Sequence, residues 1–330
     1  MMISVVAHRF RLVPQTLSPF SSPSPSPTTT RPPRLLFSAS SSSSPSPMDA
    51  QIGQPRFMEF PHLSVVHRNL MVEIISTMEG RLGSQLRPPT LPPDVQFFQN
   101  ESGTSQGSLY IRTGDKFSSV DLLLGSWLHC ELPSGGALDI TTLVTYLNLS
   151  TDAPHFLLEF IQSSPTSLLL LLDLLPRKDL VLHQDYLNTF YSDTQLERFR
   201  KELEKLPEVQ PYFLSSLYLR PIFSPTANLI RIDCSRKEEG EAAGQGSMDE
   251  IIHDHIGPIA KEVLGIWLDQ CACRVGGREV GESEQALLGK RDHLIKDTAV
   301  KIDLVSNLPR LFGPDVASRV ISAIQEFFDV

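Results

Sequence analysis

Apolar residues recur at helical spacing near the start of the folded part of the chain and at strand spacing after it. Residues 66–86 carry apolar side chains three or four positions apart, which predicts a helix with one buried face. Three β-rich runs follow, separated by Gly, Asp and Ser, at residues 108–114, 119–132 and 136–149. Runs of this kind between turn residues predict consecutive strands.

Residues 156–180 contain two strongly apolar runs on either side of the Ser-Ser-Pro-Thr-Ser segment at 163–167. The turn residues between the two runs predict a β-hairpin. Side chains alternate along a strand, so Glu159 is expected on the face that it shares with Leu157 and Ile161. Both faces of this strand are predicted to be buried, which places a carboxylate in an apolar environment.

The later part of the chain mixes helices and strands. A helix is predicted over 183–206 and strands over 215–223 and 227–234, and the polar, glycine-rich residues 235–247 are expected to form a mobile loop. Three predicted helices complete the chain, at residues 248–273, 282–303 and 314–328. This order predicts a single α/β domain over residues 49–330, with a central antiparallel sheet covered by helices on both faces.

The first 48 residues differ in composition from the rest. They are rich in Ser, Pro and Thr, contain four arginines and lack any Asp or Glu, which is typical of an organellar transit peptide. The modest arginine content favours the chloroplast over the mitochondrion, and a disordered cytosolic tail is the alternative interpretation. The apolar stretch at its start is too short for a secretory signal.

Charge, cysteine content and hydropathy exclude several classes of protein. The whole chain carries a formal net charge of −9, and removal of the arginine-containing leader would make it more negative, so nucleic acid is not an expected partner. No apolar run approaches the roughly 20 residues that cross a bilayer, and no transmembrane segment is predicted. The four cysteines have no metal-ligand spacing and are expected to be free thiols, at Cys130, Cys234, Cys271 and Cys273.

Common catalytic motifs are missing from the sequence. Gly244 and Gly246 have no third glycine or leading strand, so a nucleotide-binding loop is not predicted, and Gly125-Ser126-Trp127 lacks the second glycine of a nucleophile elbow. His253 and His255 are two residues apart on a predicted helix, hence on different faces. No metal site is predicted.

Carboxylates among apolar residues are the remaining candidates for chemistry. Burial would raise the pKa of Glu159 and make it a neutral proton donor, although a strand end or a pair with arginine would leave it structural. Asp173 and Asp303, the latter between Ile302 and Leu304, are similar in setting, and by itself Asp303 is expected to be a solvated acid near a helix end. The aromatic residues after Pro211 could line a site for a flat ligand or simply fill the core.

Several motifs in order along the chain make it resemble the red chlorophyll catabolite reductases of plants. They are RFMEFPHLS at 56–64, LPPDV at 91–95, GSWLHC at 125–130, LPRKDLVL at 175–182, KLPEVQPY at 205–212 and FSPTANL at 223–229. Since they span most of the chain after residue 48, the resemblance covers the whole predicted domain. The family is grouped with ferredoxin-dependent bilin reductases, which implies a three-layer α/β/α sandwich with a central antiparallel sheet.

The resemblance also implies a reaction. Members of the family reduce the C20/C1 double bond of red chlorophyll catabolite, an open-chain tetrapyrrole, to primary fluorescent chlorophyll catabolite. Electrons come from reduced ferredoxin, and the enzyme itself binds no cofactor. It implies a homodimer in the chloroplast stroma, with the mitochondrion as a second location and the upstream pheophorbide a oxygenase as a further partner. A tetrapyrrole-sequestering protein without turnover is the alternative.

Site residues follow from the resemblance by position. Glu159 and Asp303 correspond to the catalytic carboxylates, but Ile302 stands where the family has a second acid, so Asp292 and Asp297 stay open as alternatives to Asp303. Substrate-lining positions fall on Tyr212, Phe213 and Leu214, and the position that sets product stereochemistry falls on Phe223. Ferredoxin, an acidic protein, is expected to bind basic residues, for which Arg177, Lys178 and Arg220 are candidates.

Overall fold

An eight-stranded antiparallel sheet forms the centre of the protein. The structure is a computed structural model that describes residues 56–133, 135–235, 247–273 and 280–330. The strands lie in the order β1-β2-β3-β4-β5-β6-β8-β7. Their bounds are β1 Phe97–Gln99, β2 Ser105–Thr113, β3 Val120–Glu131, β4 Ala137–Leu147, β5 His155–Ser164, β6 Ser167–Leu175, β7 Val209–Pro211 and β8 Asn228–Asp233. The predicted transit peptide at 1–48 and most of the predicted mobile loop at 235–247 lie outside the described residues.

Strands β2 to β6 form a meander because short polar connections separate the runs of apolar residues. The predicted hairpin is confirmed: Ser164 pairs with Ser167, so Pro165 and Thr166 form its two-residue turn. The strand predicted over 215–223 is wrong, since this segment contains only a 3₁₀ turn, Arg220–Ile222. Pro221 has no N–H to donate to a neighbouring strand, and Leu217 and Tyr218 before it are exposed.

Helices flank the sheet, and several contain wider, π-helical turns. The helices are α1 Val65–Leu82, α2 Pro93–Gln96, α3 Gln184–Leu187, α4 Glu197–Leu203, α5 Met248–Ile251, α6 Gly257–Trp267, α7 Glu282–Thr298, α8 Val305–Phe312 and α9 Pro314–Phe328. The π-helical turns are Asn188–Ser192, Ile252–Ile256, Leu268–Ala272 and Ala299–Leu304. The prediction of a single helix over residues 183–206 is wrong. The helix is interrupted between α3 and α4, where the backbone of Gln195 adopts a positive φ of 55°. Within the described residues, no helix is long and apolar enough to cross a membrane.

The two faces of the sheet pack against different sets of helices. On one face, Phe156, Leu158 and Phe160 of β5 share a core with residues of α1 and α6. On the other face, Leu157 and Ile161 share a core with residues of α8, α9 and the π-helical turn before α8. The three-layer α/β/α sandwich with a central antiparallel sheet is thus confirmed, as is the predicted alternation along β5.

Candidate active site

Glu159 lies in the middle of β5 and points into the layer between the sheet and the C-terminal helices. Its side chain is completely buried. Thr142, directly opposite on β4, donates a hydrogen bond of 3.1 Å from its hydroxyl to Oε1 of Glu159. Within the described part of the chain, Oε2 of Glu159 has no hydrogen-bond partner. The alternative interpretations of Glu159, a strand end or an ion pair with arginine, are therefore wrong.

The environment of Glu159 keeps its carboxyl group protonated. Burial raises its pKa from 4.5 to about 8, and the nearby charge of Asp303 acts in the same direction. The hydrogen bond from Thr142 acts in the opposite direction because it stabilises the charged form. At neutral pH, Glu159 is consequently a neutral acid with a proton available for transfer.

Asp303 faces the same layer from the helical side. It lies in the π-helical turn Ala299–Leu304 and is completely buried, so the expectation of a solvated acid near a helix end is wrong. Asn307, one turn later, donates a hydrogen bond of 2.8 Å to the backbone carbonyl of Asp303. Wider turns of this kind shift the phase of a helix and are frequent at functional sites.

The two alternative acids on the preceding helix have other roles. Asp292 accepts hydrogen bonds from Arg177 at 2.6 Å and from His155 at 2.9 Å. Burial alone would raise its pKa, but these two partners lower it to about 2. Asp297 pairs with Lys301 at 2.9 Å near the surface. Of the three aspartates considered, Asp303 is therefore the one whose charge acts on Glu159.

A small cavity lies beside Thr142, the hydrogen-bond partner of Glu159. It has a volume of about 20 Å³ and is lined mainly by apolar side chains from β3, β4, β5, α9 and the π-helical turn, with Thr142 and Tyr146 as its polar members. This volume is roughly that of a single water molecule. A larger ligand could enter only if the sheet and the C-terminal helices moved apart.

Comparisons with known proteins identify the family. A sequence profile described as "Red chlorophyll catabolite reductase (RCC reductase)" matches residues 66–326. The chain is 47% identical over 276 residues to the chloroplastic red chlorophyll catabolite reductase of Arabidopsis thaliana, a match that covers 83% of this chain and 84% of the relative. It is 46% identical to chloroplastic red chlorophyll catabolite reductase 1 of Oryza sativa subsp. japonica, covering 81% of this chain and 79% of the relative.

The chain belongs to the red chlorophyll catabolite reductase family. It is an oxidoreductase, and the chloroplast names of its relatives agree with the leader predicted at residues 1–48. Among solved structures, tomato phytochromobilin synthase in complex with biliverdin matches with a TM-score of 0.55 and 18% identity, covering 78% of this chain and 82% of that one. This likeness shows that this chain has a bilin-reductase-like fold.

The remaining positions predicted from the family lie on one loop and differ in burial. Leu214 and Phe223 are buried in the same core as Leu157 and Leu304, and Tyr212 packs partly buried against it. Phe213, in contrast, is 82% exposed and does not line the layer that contains Glu159. The structure thus brings Leu214 and Phe223 to the site face of the sheet and leaves Phe213 at the surface.

Asp173 anchors this loop to the sheet. The backbone N–H and the hydroxyl of Ser224, next to Phe223, donate hydrogen bonds of 2.7 and 2.6 Å to its two carboxyl oxygens. Burial raises the pKa of Asp173 to about 7, while both bonds from Ser224 lower it.

Sequence reasoning missed the parts played by Thr142, Asn307 and Ser224, because cross-strand register and loop anchoring leave no pattern in the sequence.

The structure overturns part of the predicted ferredoxin surface. Arg177 is completely buried in its pair with Asp292, and Lys178 is paired with Asp152 and Glu284. Neither is a free surface cation, whereas Arg220 is exposed.

The described residues contain no group of three side chains that could hold a metal ion, and the four cysteines predicted as thiols are free.

Proposed function

We propose that this protein reduces the C20/C1 double bond of red chlorophyll catabolite to give primary fluorescent chlorophyll catabolite in the chloroplast stroma, with electrons from reduced ferredoxin. The observation that carries the proposal is the pair of buried carboxyl groups, Glu159 on the sheet and Asp303 in the π-helical turn, which are close enough for the charge of Asp303 to raise the pKa of Glu159. Membership of the family supports the substrate. The conjugated tetrapyrrole accepts the electrons itself, so the protein needs to supply only a binding site and protons.

The reaction needs two electrons and two protons for each molecule of substrate. One reduced ferredoxin gives an electron to the tetrapyrrole, and Glu159 donates its proton to the radical anion that results. A second ferredoxin supplies the second electron, and Asp303 provides or directs the second proton. The carbon–carbon double bond thereby gains two hydrogen atoms, two ferredoxins are oxidised, and the two protons are replaced from solvent.

A cluster of surface cations is a good candidate for the ferredoxin site. Arg220 and Lys290 are exposed, and Arg291 of α7 donates hydrogen bonds to the carbonyls of Pro176 and Pro221. Through these contacts Arg291 lies near the end of β6, where the substrate loop is anchored, and Lys290 is the preceding residue of α7. An acidic electron donor would be attracted to them despite the negative net charge of the chain.

Charge reversal tests this docking site. Lys290→Glu should raise the KM for ferredoxin, with an effect that shrinks at high salt because the attraction is screened. Lys205→Glu, an exposed lysine after α4 on the other side of the sheet, is the matched control. Equal KM values for both variants would remove this surface from the proposal.

The homodimer, the second location in the mitochondrion and the contact with pheophorbide a oxygenase are further proposals that rest on the resemblance alone.

Anaerobic turnover of red chlorophyll catabolite with a ferredoxin-reducing system tests the function. We expect blue-fluorescent product from the wild type and at least a 100-fold lower rate from Glu159→Gln, since a general acid contributes roughly 10²–10⁴-fold. Asp139→Asn changes a carboxyl group that pairs with His129 on the opposite face of the sheet, and it should keep most of the activity. A folded wild type that binds the pigment without forming product would favour the sequestering protein, and equal rates in Glu159→Gln would remove Glu159 from the proton path.

A further inference from the structure

Strand β4 has threonines on both faces of the sheet near the site. Thr142 faces the C-terminal helices and lines the small cavity. Thr145, three residues later, pairs with Phe156 and lies on the opposite face. Both side chains are almost fully buried, so the two threonines differ in what they face and not in how far they are removed from water.

The strand register surrounds Glu159 asymmetrically. Its neighbour on β4 is Thr142, and its neighbour on β6 is Leu171, which has no polar group. Thr142 is itself opposite Ser126 on β3. Hydroxyl groups therefore border Glu159 on one side and hydrocarbon on the other, and the hydrogen bond of 3.1 Å from Thr142 reaches Oε1 and not Oε2.

A neutral carboxyl group has one oxygen that only accepts hydrogen bonds and one that carries the proton. Because Oε1 accepts a hydrogen bond from Thr142, the proton belongs on Oε2, for which the described residues offer no partner. A buried polar atom without a partner is costly, and at functional sites such atoms are often those that meet the ligand. Oε2 is thus the oxygen from which a proton can leave.

We propose that Thr142 is a positioning residue that fixes the rotation of the Glu159 carboxyl group, so that Oε2 presents the proton to the substrate. The inference rests on the proposed role of Glu159 as proton donor. Once the proton has left, the hydroxyl of Thr142 donates to a carboxylate, and such charge-assisted bonds are the stronger ones. Thr142 then stabilises the charged product of the transfer in addition to orienting the acid.

The test compares Thr142→Val, which keeps the shape and removes the hydroxyl, with Thr142→Ser, which keeps the hydroxyl. Thr145→Val makes the same change on the opposite face and is the matched control. We expect Thr142→Val to lower kcat on the order of tenfold with little change in KM, because misoriented catalytic groups lose rate more than affinity. Thr142→Ser should restore most of the rate, and Thr145→Val should behave like the wild type.

Infrared titration of the substrate-free protein gives a second readout that does not depend on turnover. The carboxylic acid band of Glu159, assigned by its loss in Glu159→Gln, should titrate at higher pH in Thr142→Val because the bond that favours the charged form is gone. Other titratable groups on this face include Asp303, Asp173, Tyr146 and the His155–Asp292 pair, and they are unchanged in all these variants. Thr142→Ala makes the same comparison if valine prevents folding.

Two results would overturn the inference. One is an unshifted Glu159 titration in a folded Thr142→Val protein, and the other is a wild-type kcat in that variant. The infrared result stands even if the wild type fails to reduce the pigment. Failure of the proposed function and failure of the role of Thr142 are therefore distinguishable.

Discussion

The strand register gives Glu159 neighbours that keep its carboxyl group protonated at neutral pH. Its neighbours along β5 and across β6 are apolar, so the charged form gains little from its surroundings beyond one hydrogen bond. Asp292 is also buried but stays charged, because Arg177 and His155 contact it directly. Local partners, and not burial alone, therefore decide which carboxyl group holds a proton.

The raised pKa of Glu159 makes a prediction about stability. The pKa is about 8 in the folded protein and 4.5 as its ordinary value. Between these values the folded state holds a proton that the unfolded state releases, so this group lowers the free energy of unfolding as the pH rises from 4.5 to 8. We expect Glu159→Gln to be more stable than the wild type at pH 8 by up to about 4 kcal/mol.

Chemical denaturation of both proteins across this pH range is the measurement. Below pH 4.5 the two proteins should have similar stability, since Glu159 is then neutral in both states. Asp173, whose pKa is also raised, is present in both proteins and cancels from the difference. A stability difference that does not change with pH would show that Glu159 is not protonated in the folded protein.

The position of Phe223 predicts an effect on the stereochemistry of the product. Its ring is buried on the site face, and Asp173 holds the next residue, Ser224, to the sheet through two hydrogen bonds. A bulky ring held in this way would restrict which side of the tetrapyrrole is protonated. We expect Phe223→Val to change the ratio of the C1 isomers in the product, measured by chromatography. An unchanged isomer ratio in an active variant would remove Phe223 from stereochemical control.

At the scale of elements, helix α7 is attached to the sheet by a buried ionic network. Asp292 of α7 joins Arg177, just after β6, and His155, at the start of β5. Arg177 also donates hydrogen bonds to the carbonyls of Asn148 and Thr151. The network fixes the helix that continues into the π-helical turn bearing Asp303, so it sets where the second carboxyl group lies.

Removing Asp292 should therefore be costly. We expect Asp292→Asn to lower the free energy of unfolding by about 3–5 kcal/mol, because Arg177 is left buried with its charge uncompensated. Asp297→Asn, on the exposed side of the same helix, should cost about 0.5 kcal/mol or less. Denaturant unfolding at pH 7 measures both variants. A loss of similar size in the two would mean that the network contributes no more than a surface pair.

The elements also show which features sequence patterns can predict. The meander β2 to β6 was predictable because its apolar runs are long and its turns carry Ser, Pro and Gly. The strand expected at 215–223 was wrong, since alternating residues such as Leu217 and Tyr218 lie exposed in a loop. The burial of Asp303 was not predictable, because a π-helical turn changes the phase of the helix and leaves no mark on the spacing of apolar residues.

The two sides of the sheet differ in packing: one core is filled by large side chains, and the layer on the other side must open to admit the substrate. The core between the sheet and α1 and α6 contains large aromatic side chains such as Trp267 and Phe160. The layer on the other side contains Glu159, Asp303 and a cavity of about 20 Å³. An open-chain tetrapyrrole is far larger than this cavity, so binding between the sheet and the C-terminal helices requires these helices to move outward.

Hydrogen exchange with and without the pigment tests this asymmetry. Backbone amides exchange when local structure opens, and the elements that move are those of lower local stability. We expect exchange in residues 282–328 to change when red chlorophyll catabolite binds, while exchange in α1 and α6 stays as in the free protein. Glu159→Gln, which should still bind, allows the complex to be studied without turnover. If the changes were confined to the exposed loop around Phe213, the pigment would bind outside the sandwich, and neither buried carboxyl group could reach it.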